Sequence, residues 1–472
     1  MNAKEAIQAI DDLVFAKQGR WLEEPEKIVL RSAWLDLDYK DTAEKSPYDI
    51  NLLQRRVAPK LWVLLTGILG NGEKVTKKRL RGIVEKRIVL ADKESPKWNE
   101  NADPVGLPIL AGNLPDIFNF YGRTPELAML KELVAQERCV AIIGTAGIGK
   151  SALVAKLIQA LRIGSYEFNS FIWKSVSYSP LLTDLVADVL RILAYSENQE
   201  LDLPESMQAR TSKLFEYLRS RRYLVILDSA ESLLQGDRNT SSNPYGNEYA
   251  EYGTFFNRVI EEQHQSCFLL TSREPFVDFN RLQQKGQPVR TVKLEGLGKE
   301  ALEIFRSHGL TDEDKWGDLI KTYRGNPLSI KMLSEKIQKF FGGNVEKFLK
   351  FQTVLMTDIF QESLDELFED KGRLTILEKQ IMFYLTEELI KESRDSIALN
   401  ELLNKFKEEQ QSEVTTSELL EAIEALYARS LIEQKRNDSK EVLLSLEPQV
   451  IKYVCTHALK LVKNRVDHFQ SA

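Results

Sequence analysis

Gly144-Thr145-Ala146-Gly147-Ile148-Gly149-Lys150-Ser151 satisfies the pattern G-x-x-x-x-G-K-S at every required position. Each fixed residue type answers a need of a bound triphosphate. Glycine at 144, 147 and 149 permits backbone angles closed to other residues and lets main-chain N–H groups approach phosphate oxygens. Lys150 brings a point charge to the outer phosphates, and the Ser151 hydroxyl is a ligand for Mg2+. Thr145, Ala146, Ile148 and the following Ala152 complete the stretch expected to face the nucleotide. Ahead lies Cys139-Val140-Ala141-Ile142-Ile143, an apolar run suited to a buried parallel strand. Behind lies Ala152-Leu153-Val154-Ala155-Lys156-Leu157-Ile158, which reads as a helix whose N-terminal dipole faces the phosphates.

Outward from this loop the chain alternates strand and helix patterns from about 117 to 292, the signature of a parallel α/β sheet. Expected strands follow at 171–176, 223–227, 267–271 and 289–294. The second nucleotide motif is Leu224-Val225-Ile226-Leu227-Asp228, where a buried strand ends in an acid. That places the Asp228 carboxylate at the carboxyl edge of the sheet, where Mg2+ and its waters sit. Many P-loop ATPases put a second acid next; this chain has Ser229, with Glu231 two residues on. Glu231 either serves as the base for an attacking water or caps and solvates the helix that follows. Thr271-Ser272-Arg273 ends another apolar run, so Arg273 can sense charge on a γ-phosphate, or pair locally with Glu274.

Two further stretches are ambiguous on their own. Phe120-Tyr121-Gly122-Arg123 precedes the first strand and is either a domain-entry turn or a place where backbone and Arg123 meet an adenine. Gly325-Asn326-Pro327-Leu328 opens a helix with proline in its first turn, and its spacing permits Pro327 to pack on the base.

Residues 1–90 read as a compact helical domain. Ile28, Val29, Leu30, Trp34 and Leu35 form one apolar face, a short helix follows near 39–45, and Ser46-Pro47-Tyr48-Asp49 breaks the chain. A longer helix then carries Ile50, Leu53, Val57, Leu61, Trp62 and Leu65, completing the helix-turn-helix plan. Asn51, Gln54, Arg55, Arg56 and Lys60 are its groove-facing candidates, while Trp34 and Trp62 belong to the core. Charge supports a contact surface here. Residues 50–90 hold 10 Lys+Arg against 2 Asp+Glu, whereas residues 1–49 hold 7 against 11. Such a block meets DNA or an acidic protein, or is simply a solvated face.

Residues 91–116, with four prolines, read as a linker. From about 295 the chain turns helical, and beyond 366 helices precede two short strands, 431–434 and 442–446, around Asn437-Asp438-Ser439: a winged-helix order. A further helix is expected to end at Val462-Lys463-Asn464-Arg465. Composition is that of an ordinary globular chain, 43 % hydrophobic and 28 % charged, with net charge −6. Three cysteines make no disulfide framework, four histidines show no metal-ligand spacing, and neither a signal segment nor a membrane-length apolar run is present. A reducing cytoplasmic setting without membrane contact is the expectation.

Taken in order, Phe120-Tyr121-Gly122-Arg123, the phosphate loop, Phe171-Ile172-Trp173, Leu224 to Asp228, Leu270-Thr271-Ser272-Arg273, Leu294-Glu295-Gly296-Leu297 and Gly325-Asn326-Pro327-Leu328 resemble the NB-ARC module of STAND-class signalling ATPases. The resemblance implies a multidomain α/β protein: a helix-turn-helix bundle at 1–90, a linker at 91–116, a P-loop sheet domain at 117–294, a helical lid at 295–365 and a winged helix with its C-terminal helix at 366–472. It implies ADP or ATP with Mg2+, framed by Phe120, Arg123 and Pro327, with Lys150, Ser151 and Asp228 on phosphates and metal (Asp228 through water) and Arg273 reading the γ-phosphate. ADP would hold a closed form, and ATP would open it and permit self-association. Two departures stand out. Ser229 replaces the second acid, and Leu446-Glu447-Pro448-Gln449 stands where many members carry Met-His-Asp, so no phosphate-contacting histidine is assigned. Such an N-terminal domain is found ahead of these modules in bacterial, particularly cyanobacterial, proteins, where a repeat sensor array often follows; no array is read before 472. The expected function is a nucleotide switch with slow hydrolysis. The alternatives are an ATP-regulated DNA-binding transcription regulator and a non-catalytic ADP-bound scaffold whose N-terminal helices recruit a protein.

Overall fold

The computed structural model of the chain describes residues 22–46, 48–69, 74–84, 109–111, 114–115, 117, 120–163, 168–197, 199, 201–234, 250–351, 353–369, 372–392, 394–409, 414–437 and 440–458, with 6, 7, 10, 11 and 14. Most of the expected linker, part of the 437–439 turn and the helix expected to end at Arg465 lie outside these residues. The chain divides into two compact units, one of 1–115, 158–228 and 261–269, the other of 116–157, 229–260 and 270–472.

In the first unit the helix Glu24–Trp34 starts with Pro25 in its first turn, and the Glu23 N–H donates to Glu26 Oε2 at 2.8 Å. The short helix Tyr39–Glu44 follows. The Asp49 carboxylate then accepts the N–H groups of Asn51 (2.7 Å) and Leu52 (3.0 Å), satisfying orphan donors at the next helix start. That helix runs as a π-helical turn, Leu52–Val57, into Ala58–Leu69. Val29, Leu30, Trp34, Leu53, Leu61 and Leu65 form its core, with Trp62 packed against them. Asn51, Gln54, Arg55, Arg56 and Lys60 are all exposed, as the helical spacing requires. Lys27 reaches from this bundle to Asp188 (3.8 Å) on the helix Leu182–Ser196, which Lys174 (3.0 Å) and Arg191 (3.1 Å) also hold.

The same unit contains β1 (Ile109–Ala111), β3 (Ser170–Ser175), β4 (Tyr223–Asp228) and the first half of β5 (Cys267–Ser272). The second unit holds the rest of β5, with β2 (Cys139–Ile143) and β6 (Val289–Lys293). Within the first unit the strand order is β1-β3-β4-β5, and within the second it is β5-β2-β6. Pairing is parallel in β1–β3, β3–β4 and β2–β6. Strand β1 lies within the stretch that the sequence reading gave to the linker, and it was not read as a strand. Three residues between prolines are too few to display a period, and pairing with β3 alone makes them a strand.

The remainder of the second unit is helical. Phe305, Trp316, Tyr323, Ile330, Leu333 and Ile337 pack together across the helices Ala301–Ser307, Trp316–Thr322 and Pro327–Phe341. Beyond them the helices Asp358–Phe368, Ile376–Lys391, Leu399–Glu409 and Thr416–Ala428 surround Ile381, Leu385, Leu426, Ile432 and Leu444. The expected hairpin is present as β8 (Ile432–Arg436) and β9 (Val442–Leu446), but a third strand, β7 (Ile397–Ala398), pairs with β9. Two residues carry no legible alternation, so this edge escaped the sequence.

Candidate nucleotide site

All five residues of β2 are buried, which fixes the point from which the phosphate loop departs. Gly144 N–H donates to the Ser272 carbonyl at 3.2 Å, and Leu294 N–H to the Ile143 carbonyl at 2.7 Å, so the loop leaves between β5 and the chain after β6. Gly147 and Gly149 have φ of +76° and +100°, a region that side chains other than glycine rarely enter. A Cβ on Gly147 would also lie 2.8 Å from Leu328 Cβ. The helix Lys150–Ile163 begins directly behind the loop, adding its N-terminal dipole. Lys150 Nζ curls over the loop and donates to the carbonyls of Gly144 (2.8 Å) and Thr145 (3.1 Å). A glycine cradle with a helix N-terminus and a covering ammonium fits a phosphate chain.

The loop is held from two sides. Arg123, buried and itself at φ +67°, pairs with Glu126 at 2.7 Å and donates through Nη2 to the Ile148 carbonyl at 3.1 Å. Its guanidinium therefore supports the loop backbone. Phe120 is half-buried three residues earlier. From the helical segment, Asn326 Nδ2 donates to the Ala146 carbonyl at 2.8 Å and Leu328 N–H to the Gly147 carbonyl at 3.4 Å. Asn326 also caps the helix Pro327–Phe341, accepting Ser329 N–H at 3.2 Å, with half-buried Pro327 in the first turn. The glycines of the two flanking motifs interlock: a Cβ on Gly296 would stand 1.8 Å from the Arg324 carbonyl oxygen, and one on Gly325 2.1 Å from that of Leu297. Backbone packing of this kind is why both motifs carry glycine. From the winged-helix side, Ser329 Oγ meets Gln449 Oε1 at 3.4 Å, and Gln449 Nε2 donates to the Leu355 carbonyl at 3.0 Å.

Asp228 ends β4 in register with Ser175, and its carbonyl accepts Val176 N–H at 2.9 Å. Ser229 then takes a left-handed φ of +64° and donates its N–H to Thr271 Oγ1 at 3.0 Å. This turn sends Glu231 into the 3-10 segment Ala230–Leu233, where it is buried. Glu231 meets Arg273 twice, through Nε (2.7 Å to Oε1) and the backbone N–H (3.2 Å to Oε2). The other end of Arg273, Nη2, donates to Glu366 at 2.9 Å. Burial works against the Arg273 charge, but Glu231 and Glu366 together hold its pKa above the ordinary value.

Glu274 accepts Arg373 Nη1 at 2.5 Å and Arg429 Nε at 3.1 Å, and Arg429 Nη1 continues to Glu378 at 2.8 Å. Arg373 also donates to the Glu231 carbonyl at 3.2 Å. Buried charges of this kind persist when each is paired and hydrogen-bonded. They border a small cavity of about 40 Å³ that Thr145, Ala146, Arg273, Glu366 and Glu447 line. Glu447, 6 % exposed, also lines a second cavity of about 320 Å³ with Thr145, Ile148, Arg324 and Asn326. Burial raises its carboxyl to about 7, against the opposing pull of Arg324 and with added repulsion from Glu433.

The structure thus brings Arg123, 144–151, Glu231 and Arg273 together with residues that sequence reasoning left unassigned: Asn326, Glu366, Arg373, Glu378, Arg429 and Glu447. Asn326 had a signal, the helix-cap position before Pro327. The others look like ordinary solvated helix charges in a linear reading. Among the described residues no group of three or more His, Cys, Asp or Glu could hold a metal, and no helix is long and apolar enough to cross a membrane.

Comparison with known proteins agrees with the motif order. Residues 1–87 match the vWA-MoxR associated protein N-terminal HTH family, and residues 127–231 match the NB-ARC domain. An uncharacterised WD repeat-containing protein of Nostoc sp. is 36 % identical over 364 residues, which is 74 % of this chain and 27 % of that protein; the chain spans about a quarter of that relative. Among solved structures, a Walker-type ATPase of Pyrococcus abyssi superposes with a TM-score of 0.49 at 14 % identity, covering 71 % of this chain and 96 % of that one. A STAND protein with a tetratricopeptide repeat sensor from Pyrococcus horikoshii gives 0.33 at 16 %, covering 72 % and 43 %. Residues 127–231 thus carry an NB-ARC domain, preceded at residues 1–87 by a helix-turn-helix domain of the vWA-MoxR associated type.

Proposed function

We propose that the chain is a nucleotide-controlled switch: ADP or ATP with Mg2+ sits on the 144–151 loop and sets the state of the helical and winged-helix segments that follow. The observation that carries this reading is the direct hydrogen bonding of loop to helix start, Asn326 to Ala146 and Leu328 to Gly147. A phosphate that turns the loop's N–H groups toward itself also turns those two carbonyls, so occupancy is felt by the helix Pro327–Phe341. Lys150 holds phosphate, Ser151 ligates the metal and Asp228 acts through water, roles that rest on the order of the sequence motifs, as does packing of Pro327 on the adenine. Hydrolysis is slow on this reading, because Ser229 supplies no second acid and the Glu231 carboxylate is occupied by Arg273. The output is assembly: ADP favours the closed chain and ATP permits self-association.

The test is nucleotide binding by calorimetry with wild type and Lys150→Ala, followed by light scattering with ADP and with a non-hydrolysable ATP analogue. Full affinity retained in Lys150→Ala would remove the site assignment. One particle size in both nucleotides would remove the assembly claim.

A second reading concerns residues 1–90, and the exposure of Asn51, Gln54, Arg55, Arg56 and Lys60 on one helical run favours it. These side chains suit phosphate and base-edge contacts on duplex DNA. Band shifts with the full chain should weaken with salt and with the double variant Arg55→Ala/Lys60→Ala. Undetectable binding at low salt would leave a protein as the partner of this domain.

A further inference from the structure

We infer that Glu366 is a specificity-determining residue, one that competes with a γ-phosphate for the Arg273 guanidinium and so biases the site toward the diphosphate. This rests on the reading that the 144–151 loop holds a nucleotide. Arg273 has two anionic partners with different roles. Glu231 lies on the next strand-end turn and grips both the Arg273 backbone and its Nε, so it positions the side chain. Glu366 lies 93 residues away on the helix Asp358–Phe368 and takes only the outer nitrogen Nη2, the end left for a ligand.

The setting makes the competition direct. Thr145 and Ala146 of the phosphate loop line the same cavity as Arg273 and Glu366. A phosphate added beyond the β position enters a space that also faces the carboxyl of Glu447 and the Glu274 side chain. The two other arginines on that wall are already engaged by Glu274, Arg373 at 2.5 Å and Arg429 at 3.1 Å. So the added charge of ATP meets the outer nitrogen of Arg273, and taking it requires Glu366 to let go. Glu366 is also within 3.9 Å of Arg373 Nη2, which gives the released carboxylate a second cation to turn to. Both members of the Arg273–Glu366 pair are partly solvated, with side chains 29 % and 37 % exposed, so the contact is one that a ligand can displace. It differs in this from the fully buried Arg429–Glu378 pair, whose side chains are 2 % and 3 % exposed.

The experiment compares wild type, Glu366→Gln and the control Glu362→Gln, an exposed acid on the same helix. Dissociation constants for ADP and for a non-hydrolysable ATP analogue are measured on the full chain. Glu366→Gln should strengthen the ATP analogue about five- to ten-fold relative to ADP, because a charge-assisted bond is replaced by a neutral one. ADP affinity should move less than about two-fold, and Glu362→Gln should match wild type. Proteolysis of nucleotide-stripped protein supplies a readout independent of binding, since loss of the pair should speed cleavage around residues 350–375 in Glu366→Gln only. A wild type that binds both nucleotides, with an unchanged affinity ratio in Glu366→Gln, overturns the inference alone. A wild type that binds neither nucleotide overturns the nucleotide reading, and the competition falls with it.

Discussion

The Glu231 carboxylate lies 2.7 Å from Arg273 Nε and 3.2 Å from the Arg273 backbone nitrogen, so one acid fixes both the side chain and the main chain at the end of β5. A carboxylate held in that way is poorly placed to take a proton from water. Glu231→Gln should therefore lower ATP turnover by less than about ten-fold, against the 10²–10⁴ typical when a general base is removed. Steady-state phosphate release decides it, and a loss of several hundred-fold would make Glu231 the base after all. Glu231→Ala strands Arg273 more seriously and should cost about 2 kcal/mol in urea unfolding, less than a fully buried pair because Arg273 keeps Glu366 and some water.

The close approach of Gly296 to Arg324 predicts a sharp contrast between two glycines. Gly296→Ala puts a methyl 1.8 Å from a carbonyl oxygen, where no rotation of a side chain relieves it. It should destabilise by about 3 kcal/mol or more. Gly67, in the helix Ala58–Leu69, has nothing within 4 Å of a built Cβ. Gly67→Ala should stabilise by about 0.5–1 kcal/mol through helix propensity. Chemical denaturation of the two variants checks both signs.

Glu447 gives the fold a pH dependence of defined direction. Its carboxyl is raised by folding from 4.5 to about 7, so the folded state binds this proton more tightly than the unfolded chain. Its contribution is therefore whole below pH 4.5, falls as pH rises toward 7 and is flat beyond. At one unit per 1.36 kcal/mol the loss is at most about 3 kcal/mol. Glu447→Gln, which keeps shape without the charge, should flatten that part of the stability profile and raise Tm at pH 8 relative to wild type. Equal Tm differences at pH 5 and pH 8 would show that the carboxyl does not titrate in this range.

Much of this molecule was legible in the chain because its information is local. The glycines of 144–149 had to be glycine for backbone reasons alone, and two of them adopt positive φ in the structure. Apolar runs read as strands at 139–143, 171–176, 223–227, 267–271 and 289–294 correspond to β2, β3, β4, β5 and β6 within a residue at each end. The exposed run from Asn51 to Lys60 followed from helical period. What stayed hidden had no local signature. Strands β1 and β7 are three and two residues long and exist through pairing rather than through their own pattern. The contact of the Arg123 guanidinium with the Ile148 carbonyl had no signal along the chain. Arg273 was legible as a charge at a strand end, but its partner 93 residues away was not. The sequence by itself determined the phosphate loop, the positions of β2 to β6 along the chain and the helix-turn-helix, since backbone stereochemistry and hydrophobic period act over a few residues. Only the tertiary structure decided which charge meets which, because an ion pair depends on a distance in space that no spacing along the chain records.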